Sequence, residues 1–591
     1  MAVVNPLVNK NLTEDQLRAF VIEKDRELDQ DWNDRVSGIN NSIGTGKKIA
    51  GYLNLRNFYE GDHWSYLRED GLPIRAYNYC RTTILNYTSF LANEAPEDDV
   101  PPRDTLDEIE IARAEEVEKL LGEIKDDNNY PTVFSDAAQN QSLLGDCFIF
   151  GPYIEWVVTG WEQSKLKDTE GNYLMIPKKV PRIRFKNIKR IENVRIFWSD
   201  EDFTEYEGFI FYYRVSEKQA ERIYREQMNK RGITKIPRTE PENYTKTTSY
   251  PMTTIKVYWD DTYMLAMVGD VILDFVKHDW GFVPGLLVKN VPHPTRPWGV
   301  SDIEDMLDAQ VEYNETAVDT RGKIKQVAVP HVFYSGDGEP VQYTAGVAQM
   351  IKIGENDRIF PDPMGQSTAP FEQYAADRKN DIHQLSMISE IFYGGAMTAK
   401  ATGRALSVLM QGVNNKVKQK QQYWKVALQS LNANILRLIE IYFPIGKQLI
   451  QGYYKTDIFF PSILIRNVTE EINKFNMKLQ SQYTTMKNLG IPNPKEEVKV
   501  MKREWDDQSI SIEISRNPQL RMQLQQMIAQ QMGQGGGQTP QAGGGNPQLT
   551  EGDGGAGVSA DESAPLSSPG VPQQAPSSGQ GAIAQKGFRG R

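Results

Sequence analysis

Three features of the sequence point to an α+β chain that is mostly helical. Apolar residues recur at helical spacing near both ends and most persistently over 404–442, and short β-branched and aromatic runs fill roughly 147–275. Residues 533–591 carry a composition that cannot pack. A length of 591 residues leaves room for several domains, roughly four at the usual domain size.

Taken in order, Thr13-Glu14-Asp15-Gln16 has the form of a capping box, and Leu17, Phe20, Val21 and Leu28 follow at helical spacing, so an amphipathic helix is expected there. Helical patterns recur over 104–125, through Leu106, Ile109, Val117, Leu120 and Ile124, and over 131–144. Strand-like runs follow at 147–156, 182–185, 208–214 and 254–259. Met264–Val268 and Val271–Leu273 flank Gly269-Asp270, the two-residue turn of a hairpin.

Prolines 292, 294 and 297 precede Ser301-Asp302-Ile303-Glu304, a second capping box, and its helix is expected to run to about Gln326. On a helical wheel Asp308, Glu312, Glu315 and Asp319 gather within about 60° of one another, with Met306, Tyr313, Ala317 and Ile324 opposite. A β-like insert over 327–364 leads to another helix over about 370–392. After Tyr393-Gly394-Gly395 and a run of small residues, the pattern from Arg404 to Tyr442 keeps steps of three and four, apart from one skipped turn near Lys420. That spine would be about 60 Å long. Asn517-Pro518 opens a last short helix. The tail, 533–591, holds 16 of the chain's 46 glycines and is expected to be disordered.

The 67 Lys and Arg against 78 Asp and Glu give a formal net charge of −11, which argues against a protein that coats nucleic acid or an anionic membrane. Any contact with DNA must be local. Between Ile391 and Ile439 there is no Asp or Glu, but there are seven basic residues: Lys400, Arg404, Lys416, Lys418, Lys420, Lys425 and Arg437. Two readings stand open, a basic helix face paired with acidic neighbours or direct contact with phosphate. Two cysteines build no disulfide framework, which points to a reducing compartment, and neither a signal peptide nor an apolar span of about twenty residues is expected.

Catalytic patterns are missing. Gly44-Thr45-Gly46-Lys47-Lys48 fails as a phosphate loop, with Asn41 where the first glycine belongs and Lys48 in place of Ser or Thr. The five histidines share no helical face. Carboxylates cluster at Glu97-Asp98-Asp99, Asp200-Glu201-Asp202 and Asp260-Asp261, at expected turns where solvated acids collect. A two-metal nuclease would need several of them to converge. No catalytic residue, metal ligand or cofactor is expected.

Five segments, in order, resemble those of the portal proteins of tailed bacteriophages. They are Phe58-Tyr59-Glu60-Gly61-Asp62-His63-Trp64 with Asn78 and Pro96; Leu144-Gly145-Asp146-Cys147-Phe148; Trp298-Gly299-Val300-Ser301-Asp302-Ile303 with Asp308, Gln310, Tyr313 and Asn314; Tyr393-Gly394-Gly395; and Thr402-Gly403-Arg404-Ala405-Leu406. The resemblance spans about 54–528. It implies an N-terminal helical segment (1–48), a wing (49–295), stem helices (296–326 and 367–393) around a clip (327–366), a tunnel loop (394–404), a wing spine helix (405–452), a crown (453–532) and the disordered tail (533–591). It further implies a dodecameric ring at one capsid vertex of the virion, assembled in the host cytoplasm, through which double-stranded DNA is packaged and ejected. Lys400, Thr402 and Arg404 would line the channel, Asp308, Glu312, Glu315 and Asp319 would form the acidic stem face, and Val332, Tyr334, Asp337 and Tyr343 would present the docking clip. The implied partners are the terminase large subunit, then head-completion or adaptor proteins, with the major capsid and scaffolding proteins around the ring and no membrane. Two other classes remain: a metal-dependent nuclease of the packaging machinery, and a structural capsid or connector component with no channel.

Overall fold

The capping residues place the first helix where expected. Thr13 accepts from the Gln16 N–H while the Gln16 side chain accepts from the Thr13 N–H, and helix α1 runs Glu14–Glu27. The computed structural model describes residues 12–39, 49–63, 76–167, 173–237, 239, 252–328, 332–334, 350–352, 368–393, 410–461, 468–489, 497–498, 500–503 and 505. Two compact units divide at Gly490, and every element below belongs to the first. The glycine-rich loop 44–48, the helix expected after Asn517 and the tail 533–591 lie outside the described residues.

The middle of the chain forms a five-stranded antiparallel sheet in the order β10-β9-β8-β7-β6, from β6 Val194–Trp198, β7 Tyr206–Ser216, β8 Met252–Trp259, β9 Tyr263–Val268 and β10 Val271–Lys277. The Gly269-Asp270 turn is as read, with Val271 opposite Val268. Side-chain alternation splits this sheet between two cores. Tyr263, Leu265 and Met267 meet Leu17, Phe20 and Val21 of α1, while Ala266 and Val268 meet Ala220, Tyr224 and Met228 beneath α7 (Glu217–Ile223) and α8 (Arg225–Arg231).

A second sheet, β11-β4-β5, joins β11 (Gly285–Lys289) to a hairpin of β4 (Asp146–Lys167) and β5 (Tyr173–Asn187), much longer than the runs 147–156 and 182–185 suggest. Helices α4 (Tyr79–Ala92), α5 (Glu108–Asp127) and α6 (Tyr130–Leu144) pack on it with the long helix α11 (Gln411–Tyr442). Trp424, Leu428, Leu431 and Ile435 of α11 are buried at 1% exposure or less, so the expected spine is real from Gln411 onward. Residues 404–409, where the sequence pattern begins, lie outside the described residues.

Three expectations need correction. Leu106 and Ile109 do not reach the core; they are 91% and 77% exposed, and α5 starts at Glu108 and buries Ala114, Val117 and Leu121 instead. Glu304 closes no capping box: its carboxylate pairs with Arg296 at 3.1 Å, and a 3-10 turn, Glu304–Met306, precedes helix α9, Leu307–Ala328. Finally, the helix expected over 370–392 ends sooner. Helix α10 spans Ala369–Ser386 and stops at Met387, whose φ of 57° is left-handed, before a 3-10 turn, Glu390–Tyr393.

Candidate functional site

Two of the segments singled out in the sequence, 144–148 and 298–303, meet at one joint. Helix α6 ends at Gly145, whose φ of 84° favours glycine, and its backbone crosses that of Gly299. A Cβ on either glycine would run into the other's carbonyl oxygen. Around the crossing, Gly299 N–H donates to Asp146 Oδ1 (2.9 Å), Asn290 N–H to the Gly145 carbonyl (2.8 Å), and Asp302 N–H to the Ser142 carbonyl (3.0 Å). Ser301 Oγ donates to the Leu143 carbonyl at 2.7 Å.

Two buried carboxylates lie at this crossing. Asp146 is bound by Arg35 (3.0 Å) and by the Tyr52 hydroxyl (2.9 Å). Asp302, fully buried, accepts from Lys420 at Oδ2, lies 3.1 Å from Lys416 at Oδ1 and accepts from Asn290 Nδ2 at 2.9 Å. Burial alone would raise the Asp302 carboxyl, but the two ammonium groups and the hydrogen bonds outweigh it and hold it at about 2. Lys420, 1% exposed, also donates to Ser142 Oγ at 2.9 Å. Two of the seven basic residues are thus consumed by the fold. Lys418 is exposed, and Lys400 and Arg404, with Thr402, lie outside the described residues.

A second clamp fixes the α9–α10 helix pair to the same body. Buried Gln310 donates to the Tyr77 carbonyl (2.7 Å) and accepts from the Tyr79 N–H (2.9 Å), while Asn314 accepts from the Tyr77 N–H (2.9 Å). Asn314 Nδ2 lies 3.0 Å from His63 Nδ1, and His63 Nε2 lies 2.9 Å from the Phe58 carbonyl. Burial pushes His63 below its ordinary value, so the neutral ring donates at Nε2 and accepts at Nδ1. Asn78 donates to the Tyr59 carbonyl at 2.9 Å and caps α4. Gln310→Leu is expected to cost about 3 kcal/mol, because it strands two backbone groups at once; chemical denaturation measures it.

Tyr393 and Val413, on either side of the undescribed 394–409, are each held by the body. Tyr393 hydroxyl bonds Thr83 Oγ1 (2.7 Å) and donates to Ser386 Oγ (2.9 Å), and Tyr87 donates to the Ser386 carbonyl (2.6 Å). At the other end Val413 is fully buried. Of the acidic face, Glu312 pairs within the chain with Arg378 (3.1 Å), Glu315 is half-buried, and Asp308 and Asp319 are exposed. Glu312→Gln should change chain stability by less than about 1 kcal/mol, since the pair is partly solvated. Within 327–366, β12 (Val332–Tyr334) pairs in parallel with β13 (Met350–Lys352); Asp337 and Tyr343 lie outside the described residues.

The carboxylate clusters do other work. Asp98 is held by Lys125 (2.6 Å) and Asn432 (2.8 Å), Asp200 accepts from the Thr204 N–H (2.9 Å), and Asp260 from Tyr258 (2.9 Å) and the Thr262 N–H (2.7 Å). Among the described residues no group of three or more His, Cys, Asp or Glu is placed to hold a metal ion. Nor is any helix among them long and apolar enough to cross a membrane.

Of the two buried ion pairs, one fits the sequence reading of a basic helix face paired with acidic neighbours, since Lys416 and Lys420 both meet Asp302. Lys420 interrupts the apolar stripe of α11, and a lysine on a buried stripe requires a counter-charge. Arg35 and Asp146 left no such trace.

The sequence model of the family described as "Phage portal protein, SPP1 Gp6-like" matches residues 78–510. No curated protein matches the chain.

Proposed function

Because the chain belongs to the SPP1 Gp6-like phage portal protein family, which accounts for residues 78–510, we propose that it closes into a homo-oligomeric, dodecameric ring at one vertex of the capsid. Double-stranded DNA passes through the ring during packaging and ejection. That family match carries the reading. The joint supports it, since the described residues of the sequence motifs are spent on fixing a helix pair to an α+β body.

In this reading α9 and α10 are the stem, 327–366 the clip on which the terminase large subunit and later the head-completion proteins dock, 394–404 the tunnel loop, and 453–532 the crown. The ring supplies no hydrolysis; the motor does. Exposed Asp308 and Asp319 face either the channel or the neighbouring subunit.

Lys400 adds one positive charge per copy to a loop of small residues. Repeated around a ring, it makes a collar that holds phosphate without reading any base. Lys400→Ala should leave ring assembly unchanged and lower genome retention or packaging, more at low salt than at high. A Lys400→Ala phage that packages and keeps its genome normally at both salt concentrations removes the loop from DNA handling.

A further inference from the structure

Strand β11 covers only Asp146–Phe150 of β4, so from Tyr153 outward β4 and β5 form a two-stranded ribbon. Such a ribbon is marginal in water unless one of its faces is covered. Between Val158 and Gly160 the register slips by one residue, and a one-residue bulge shifts the alternation of side chains. Trp161 therefore falls on the same face as Trp156 and Val158, opposite Pro177, Lys179 and Pro181 of β5. Trp156, Val158 and Trp161 are 54%, 48% and 64% exposed, although Trp156 already rests edge-on against Tyr442. On the reverse face the half-buried Val157 and Val180 lie opposite each other, and farther out Glu162 pairs with Lys178 at 2.7 Å.

The start of α5 presents the counterpart. Leu106, just before that helix, and Ile109, in its first turn, stand exposed near Glu108, Glu115 and Glu116. Residues 104–118 hold seven acidic side chains and one basic, whereas 156–182 hold five basic and three acidic. Two different apolar patches of opposite charge on one chain are the two halves of a heterologous contact, the kind that closes rings.

We propose that the tryptophan face of the β4–β5 ribbon of one copy docks on the acid-rimmed first turn of α5 in the next copy. Lys179, only loosely paired with Glu226 at 3.8 Å, enters the carboxylate rim around Glu116. This contact rests on the ring reading above.

Both native cysteines are buried, so engineered thiols report alone. With Trp161→Cys and Ile109→Cys in one full-length chain, a short bis-maleimide should give a ladder of linked multimers on denaturing electrophoresis, and either single variant only monomer. Rings by light scattering without a ladder overturn the contact and leave the ring reading standing. An unmodified chain that stays monomeric at every concentration takes down the ring reading, and this contact with it. A second pair of variants avoids the tryptophan: Lys179→Glu and Glu116→Lys should each lower the ring fraction, and their combination should restore it. A ring fraction that none of the three moves, or that the combination lowers further, overturns the contact. So does loss of binding to the capsid protein with rings intact, which would give the face to another partner.

Discussion

Asp302→Ala should destabilise the protein by about 3–5 kcal/mol, the range expected when one member of a buried ion pair is removed and the other stays. Lys420 is 1% exposed and donates to Asp302, and Lys416 lies 3.1 Å from the same carboxylate, so the variant leaves two cations facing an empty acceptor. Asn290 Nδ2 also loses one of its two acceptors, keeping only the Val300 carbonyl. Lys420→Met, which leaves Asp302 still paired with Lys416 and Asn290, should cost less than Asp302→Ala. The same pair sets an acid limit. The Asp302 carboxyl sits at about 2 against an ordinary 3.8, so its contribution is complete above about pH 4 and is lost as the pH falls through 2. That difference is worth roughly 2 kcal/mol. Denaturation midpoints of the parent and of Asp302→Asn should converge as the pH falls through this window; midpoints that stay equally far apart from pH 5 to 2 would remove the assignment.

Gly299→Ala should be nearly as damaging, with a cost of roughly 3 kcal/mol or more. Its added methyl meets the Gly145 carbonyl, and behind it the Asn290 nitrogen at 3.0 Å, both backbone atoms that no rotamer change can move. Gly145→Ala meets the Gly299 carbonyl from the other side and adds the strain of a positive φ. Gly160→Ala serves as the control, since nothing lies within 4 Å of its missing Cβ. Soluble yield and thermal midpoint should fall sharply for the two joint variants and hardly at all for the control; an unchanged Gly299→Ala midpoint would show that the crossing can open.

Local signals carried far in this chain. Thr13 and Gln16 are adjacent partners, Gly269-Asp270 is a turn by itself, and the stripe of α11 repeats within one helix, so each could be read without knowing the fold. Leu106 and Ile109 show where local periodicity misleads: the spacing is helical, yet tertiary packing buries the other side of α5. The helix expected to reach Phe392 failed for a similar reason, because Ser386 and Tyr393 are drawn into bonds with α4 that end it early. The joint was legible only as separate words. Gly145 and Gly299 each stood out, but nothing in either segment says that the two backbones touch, and the partners of Asp302 are supplied by a helix more than a hundred residues away.

Ring closure is the property on which channel, docking clip and inter-copy contact all depend. Negative-stain imaging of the purified full-length protein tests it in one step. End-on views should show closed rings of uniform diameter with a central hole, and light scattering should give a single mass that is an integral multiple of the 67.2 kDa chain. Particles without a hole, or a chain that remains monomeric at every concentration, would contradict the portal function proposed for it.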